Sequence, residues 1–324
     1  PDNLTYEFLV GLFLNKQHLN AFVTTYFLMK IKQDDFIFQD GHGLEDKLEA
    51  VIWNNSDNEG RFDCSNLDKY CLIQEYFEGT SLKSAIGITD LVEKNQKKLQ
   101  IPNPPNIEYK DILAILKQIY YPLHVLEDVF MHNDLHWGNV LVKDHGEEEK
   151  KRIEMFKHSN SPTNFSRIIN SRYEVKIIDY GRCFYYETEF RKKKSGTRTM
   201  FQNLANHVQG STQGWNRLIL SCGTISIPFS LEKYKDLHLL GLIVFNNVYP
   251  DLTTGLKTFY SCPEDCDANK LISVIARSGG YSTLLKFIDK ELNNILNNIL
   301  PQAPTIGQNI TGQKRARDQT PPLP

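Results

Sequence analysis

Long apolar runs are missing from this 324-residue chain. Spanning a bilayer takes about 18 or more consecutive apolar residues, so no membrane partner is expected. A basic leader and an initiator Met are missing too, and the sequence reads as beginning part-way into a longer protein. An excess of one charge is also absent. Lys plus Arg number 37 against 39 Asp plus Glu, and the formal net charge of -2 speaks against a surface built for direct nucleic-acid binding. Cysteine is sparse. The six residues Cys64, Cys71, Cys183, Cys222, Cys262 and Cys266 are scattered through a chain large enough to bury a core without staples, so reduced thiols in a cytoplasmic or nuclear setting are the expectation. Cys262 and Cys266 in "CPEDC" form the one close pair. With no second pair at ligand spacing, they read as two thiols in a loop ahead of a metal site or a disulfide.

What is present suits one bilobal domain or two small ones: 40% hydrophobic and 11% aromatic residues. Residues 3–15 carry a possible N-cap at Asn3 and Leu4, Phe8 and Leu12 on one helical face. Ala21–Met29 is β-branched and aromatic and reads as a strand, and Gln33–Asn66 as mostly loop. "KYCLIQEYFEGTSL" holds a short buried strand ending at a Gly turn. From Asp111, apolar Leu113, Leu116, Ile119, Leu123, Leu126 and Phe130 recur at threes and fours, which predicts a long core helix with Pro122 as a kink or a late start. "NVLV" and "VKII" read as paired strands either side of a polar surface insertion over about 144–172. "YKDLHLLGLIVFNNVY" and "LLKFIDKELNNILNNIL" read as helices, and residues 301–324, rich in proline and polar residues, as a disordered tail.

Chemistry concentrates in "FMHNDLHWGNVLVKD" (Phe130–Asp144) and "EVKIIDYGR". Phosphoryl transfer from a nucleotide needs a carboxylate to accept the hydroxyl proton and oxygen ligands for the magnesium that neutralises the phosphates. Asp134 is a candidate for the first role. Asn139, at the far end of the same loop, can offer an amide oxygen, and Asp179, after "VKII", a carboxylate; a strand pair between them would bring both to one place. Gly181 is expected to permit the sharp turn that the metal ligand requires.

"HNDLHWGNVLV" with "KIIDYG" resembles the catalytic and magnesium-binding loops of the protein kinase superfamily, and "DLHWGNVL" with "IIDY" is most similar to haspin-type atypical kinases. The resemblance implies an α+β, bilobal fold, with a partial small N-lobe over residues 1–78 and a mainly helical C-lobe over 79–300. It implies ATP and Mg2+ as ligands, a protein substrate with a Ser or Thr acceptor, and a monomer. Gln74 would be the gatekeeper beside the adenine, with the backbone of Glu75 and Phe77 against the base and Leu141 as the pocket floor. Glu7 would be the helix glutamate that pairs with a phosphate-anchoring lysine, Asn139 and Asp179 the metal ligands, and Asp236 the buried aspartate that steadies the catalytic loop.

Several features depart from the pattern. Asn133 stands where regulated protein kinases carry Arg, so the clamp on a phosphorylated activation loop is missing. His136 replaces a lysine two residues after the base, and either contacts the transferred phosphate or packs. "APE" is absent, and neither a Gly-rich loop nor the "VAIK" lysine precedes Glu7; Gly41 and Gly43 lie after the first strand and do not supply that loop. A missing front or a degenerate kinase would each explain this, and the intact Asp134, Asn139 and Asp179 favour the first. "RKKKSGTR" (Arg191–Arg198) would draw in an acidic substrate or be a solvated loop, and "KRAR" (Lys314–Arg317) would be a nuclear address or a solvated run. Three functions are thus carried forward: a haspin-like Ser/Thr protein kinase, a small-molecule kinase of the aminoglycoside or choline phosphotransferase type, and a silent kinase-shaped binding module.

Overall fold

Helices and short strands alternate along the chain in an α+β fold. The computed structural model describes residues 3–31, 69–93, 96–147, 149–156, 163–185, 215–220, 223–228, 234–263 and 265–299. Helix α1 (Asn3–Lys16) is apolar on more than one face, so periodicity alone does not pick its buried side. Val10, Phe13 and Leu14 are buried, whereas Leu4, Phe8 and Leu12, the expected core face, are only partly covered. Gly11 explains the close approach to strand β1 (Thr25–Ile31): a Cβ there would come 2.1 Å from Thr25 Oγ1. Asn15 pins the helix end to the same residue, donating from Nδ2 to the Thr25 carbonyl at 2.6 Å and accepting from its N–H at 3.1 Å. β1 pairs antiparallel with β2 (Lys69–Gln74). The expected strand at Ala21–Met29 is therefore shifted. Ala21, Phe22 and Val23 are a buried connector, joined to Ile177 by a parallel bridge at Phe22.

After β2 come β3 (Thr80–Ser81), the one-turn helix α2 (Leu82–Ile86) and the hairpin β4 (Thr89–Glu93) and β5 (Gln96–Gln100). Ser81 caps α2 through a bond accepted from the Ser84 N–H at 3.2 Å. Helix α3 (Tyr109–Val125) is the central element, with every residue from Asp111 to Leu123 buried. Pro122 lies inside its last turn. The missing N–H costs only one bond there, and the helix stops one turn later, where the Leu126 N–H meets the Pro122 carbonyl at 3.1 Å. The helical pattern therefore overran: Phe130, read as its last apolar position, belongs to strand β6 (Phe130–Met131).

β7 (Val140–Asp144) and β10 (Tyr173–Ile177) pair as expected, Val142 opposite Val175, with β3 on the outer side of β7. The segment between them is more than a polar excursion. It forms the hairpin β8 (Lys151–Glu154) and β9 (Ile168–Ser171), its Met155 is fully buried, and the Asn20 N–H bonds to the Met155 carbonyl at 3.2 Å. A tethered apolar anchor of this kind is invisible in a composition dominated by charge. β11 (Phe184–Tyr185) then pairs with β6.

A further hairpin, β12 (Trp215–Leu220) with β13 (Gly223–Pro228), precedes four helices: α4 (His238–Phe245), α5 (Pro250–Phe259), α6 (Ala268–Arg277) and α7 (Gly280–Ile299). α7 packs on α3 through the Lys117 to Asp289 ion pair at 2.6 Å and stacked Tyr120 and Tyr281 rings. Cys262 and Cys266 are joined by a disulfide, which corrects the reading of two free thiols. The Cys266 N–H bonds back to the Pro263 carbonyl in the same loop, whereas Cys71 and Cys183 form no disulfide. Among the described residues, no helix is long and apolar enough to cross a membrane. The loop over 33–66 with Gly41 and Gly43, the basic run 191–198 and the tail 301–324 with its basic run 314–317 lie outside the described residues.

Candidate active site

Strand β6 ends where Asn133 takes a left-handed backbone, φ 67°, a conformation that Asn tolerates better than most side chains. The turn points two successive N–H groups at one carboxylate. His132 donates to Asp236 Oδ2 at 2.7 Å and Asn133 to Oδ1 at 2.8 Å. Asp236 is 1% exposed in the 3-10 turn Lys235–Leu237 ahead of α4. Burial pushes its carboxyl above the usual range, against the pull of His132 and the two N–H donors. His132 is fully buried and its Nε2 meets the Ile178 carbonyl at 2.9 Å, so the loop is tied to the exit of β10 as well.

The far end of the loop is fixed by Asn139. Its Nδ2 donates to the Asp134 carbonyl at 3.0 Å, its N–H to the His136 carbonyl at 3.0 Å, and its own carbonyl accepts from Ile178 at 3.0 Å. With Nδ2 committed, Oδ1 is the free end of the amide. His136 is turned back on the loop, its Nδ1 accepting from the Gly138 N–H at 2.9 Å.

Asp179 follows β10 and Ile178. Gly181 is the residue expected to make the sharp turn there, but Asp179 itself carries the positive φ of 66°, and Gly181 lies buried in the 3-10 turn Tyr180–Arg182. A short carboxylate side chain tolerates the left-handed region, so the turn needs no glycine. Tyr180 holds it from below: its hydroxyl reaches the Val23 carbonyl at 3.2 Å and the Ile177 carbonyl at 2.9 Å. Asp179 is exposed and Glu7 of α1 faces it. Burial pushes the Glu7 carboxyl up, the Asp179 charge adds to this, and a hydrogen bond from the Tyr180 N–H works in the opposite direction. Among the described residues, no lysine pairs with Glu7.

The expected adenine-side residues sit together at the β2 exit and on β7. Gln74 ends β2 and donates to Thr25 Oγ1 at 3.3 Å. The Glu75 N–H bonds to the Thr24 carbonyl at 2.7 Å, and its carboxylate turns inward to the Thr24 N–H at 2.9 Å, Thr24 Oγ1 at 3.0 Å and Lys176 Nζ at 3.2 Å. Burial raises the Glu75 carboxyl, but the Thr24 and Lys176 contacts outweigh it and the net shift is downward. Phe77 accepts from the Gly79 N–H at 2.8 Å and lays its ring where a Cβ on Gly79 would stand. Leu141 is half-buried opposite Lys176, so the two share one face of the β7/β10 pair while Val140 and Val142 bury the other.

Sequence reading missed two cations of this site. Arg182 donates from Nη1 to Asp134 Oδ2 at 3.1 Å, and Lys176 anchors Glu75. The second was detectable, because period-2 alternation in "VKII" puts Lys176 on the face of Leu141; the first was not, since only folding brings the residue after Gly181 to Asp134.

Asn139 Oδ1 and the Asp179 carboxylate are hard oxygen donors, the type that suits magnesium. Among the described residues there is no cluster of three or more His, Cys, Asp and Glu that could hold a metal. A two-ligand protein site still fits magnesium, which keeps waters and phosphate oxygens in its shell, and the two facing carboxylates Glu7 and Asp179 leave negative charge for it to offset. No protein-family model matches the chain, and a search of curated proteins finds no match.

Proposed function

We propose that the chain is an ATP- and Mg2+-dependent protein kinase of the haspin type, with a bilobal kinase-like fold, that phosphorylates Ser or Thr hydroxyls of a protein substrate. The observation that carries this reading is the hydrogen-bonded chain Asp134 carbonyl, Asn139 side chain, Asn139 carbonyl, Ile178 N–H, which sets the candidate base beside both candidate metal ligands. Asp134 orients the acceptor hydroxyl and takes its proton. Asn139 and Asp179 would hold magnesium, which when bound neutralises phosphate charge. The Glu75 and Phe77 backbone, with Gln74 at the strand end and Leu141 beneath, would receive the base. The inward-turned Glu75 carboxylate supports this, because it leaves the outer edge of that segment as bare backbone.

Labelled ATP, magnesium and a panel of protein, aminoglycoside and choline acceptors, beside an Asp134→Ala control, test the proposal. Label on Ser or Thr of a protein, reduced at least about 100-fold in the control, is expected, as for loss of a positioned base. Label on a small molecule alone would replace the protein kinase reading with a small-molecule kinase, and absence of both transfer and Mg-ATP binding would leave a binding module.

A further inference from the structure

Asp134 has one charged partner among the described residues, and it is Arg182. The arginine leaves the 3-10 turn that follows Asp179, and Asn133 fixes its backbone by donating from Nδ2 to the Arg182 carbonyl at 3.1 Å. One guanidinium N–H is spent on Asp134 Oδ2; the side chain is otherwise 57% exposed, so further donors face solvent at the mouth of the site. His136, the alternative cation of the loop, is not poised for that role. Its Nδ1 accepts from the Gly138 N–H, which turns the ring back onto its own loop.

Resting on the kinase reading above, we propose that Arg182 is a catalytic residue that spans the base and the transferred phosphoryl group. It turns Asp134 so that Oδ1 meets the acceptor hydroxyl, and it offers its remaining N–H donors to the phosphoryl oxygens as charge builds on them. The step balances without any further reactant. The acceptor O–H bond breaks as its oxygen bonds to the γ-phosphorus, the proton passes to Asp134 Oδ1, and the bond from the γ-phosphorus to the β–γ bridging oxygen breaks, with its electron pair leaving on ADP. A planar guanidinium suits both duties at once, since its N–H groups diverge from one rigid fork. Asn133, where regulated protein kinases carry an arginine, here serves to hold Arg182 in place.

The test compares wild type, Arg182→Ala, Arg182→Lys and His136→Ala for phosphoryl transfer and for Mg-ATP binding by titration, with thermal melts to verify folding. In Arg182→Ala, kcat is expected to fall about 100-fold or more while the KM for ATP stays within about threefold, as for removal of a preorganised charge-stabilising donor. Arg182→Lys keeps the charge but not the fork, and should recover part of the loss; His136→Ala should lose less than about tenfold. The exposure of Arg182 means its variants should melt with wild type, so lost turnover in a folded variant reports on the reaction. Wild-type transfer with Arg182→Ala and Arg182→Lys both at wild-type kcat would overturn this role and leave the kinase reading intact. Loss of Mg-ATP binding in proportion to the loss of transfer would also overturn it, by making Arg182 a nucleotide-binding group. Absence of transfer in wild type would overturn both.

Discussion

The two sides of the candidate site are built on opposite principles. On the His132 side, a buried carboxylate meets two N–H donors, a carbonyl meets a histidine and the Asn139 amide bridges the loop ends, while His132 Nδ1 and Asn133 Oδ1 are buried without a hydrogen-bond partner among the described residues. On the Glu7 side, two carboxylates face each other and, among the described residues, no lysine stands against Glu7. Hydrogen-bonded networks hold geometry, whereas neighbouring like charges raise each other's cost of ionisation. The difference separates a side held by internal hydrogen bonds from the side where the proposed magnesium would sit.

The largest effect should come from breaking the hydrogen-bonded side. Asp236→Ala orphans the His132 and Asn133 N–H groups in a buried site, and should cost about 2–4 kcal/mol in urea denaturation, at roughly 1–3 kcal/mol for each unpaired buried group and less the relief of burying the charge. A smaller loss, about 1–2 kcal/mol, is expected for Tyr180→Phe, which leaves the Val23 and Ile177 carbonyls without that hydroxyl. The opposite sign is expected at Glu7. Because the Glu7 carboxyl is raised, its ionised form is the disfavoured one in the fold: the associated stability is present below the ordinary value of 4.5 and is lost as pH rises through the raised value. Glu7→Gln should therefore raise the melting temperature of this chain at neutral pH, and the gain should shrink toward zero as the pH approaches 4; a melt series across pH reads it directly.

How much of this was legible in the sequence follows the same divide. The strand pair flanking the loop, the central helix and the grouping of Asp134, Asn139 and Asp179 all rest on local pattern, and β7, α3 and β10 appear where alternation and periodicity put them. Contacts made across the fold were not legible. The buried face of α1 is chosen by its neighbours because the helix is apolar on several sides. Met155 anchors a segment whose composition is charged, the turn glycine expected at Gly181 yields to a left-handed Asp179, and Arg182 meets Asp134 only after β6, β10 and the turn are assembled.

The most direct test of the contrast is the magnesium dependence of ATP binding, titrated for wild type and Asp179→Asn. Magnesium is expected to tighten ATP binding to wild type at least about tenfold and Asp179→Asn to lose most of this gain, each tenfold being worth about 1.4 kcal/mol. ATP binding that ignores magnesium in wild type, or a gain that survives Asp179→Asn unchanged, would contradict it.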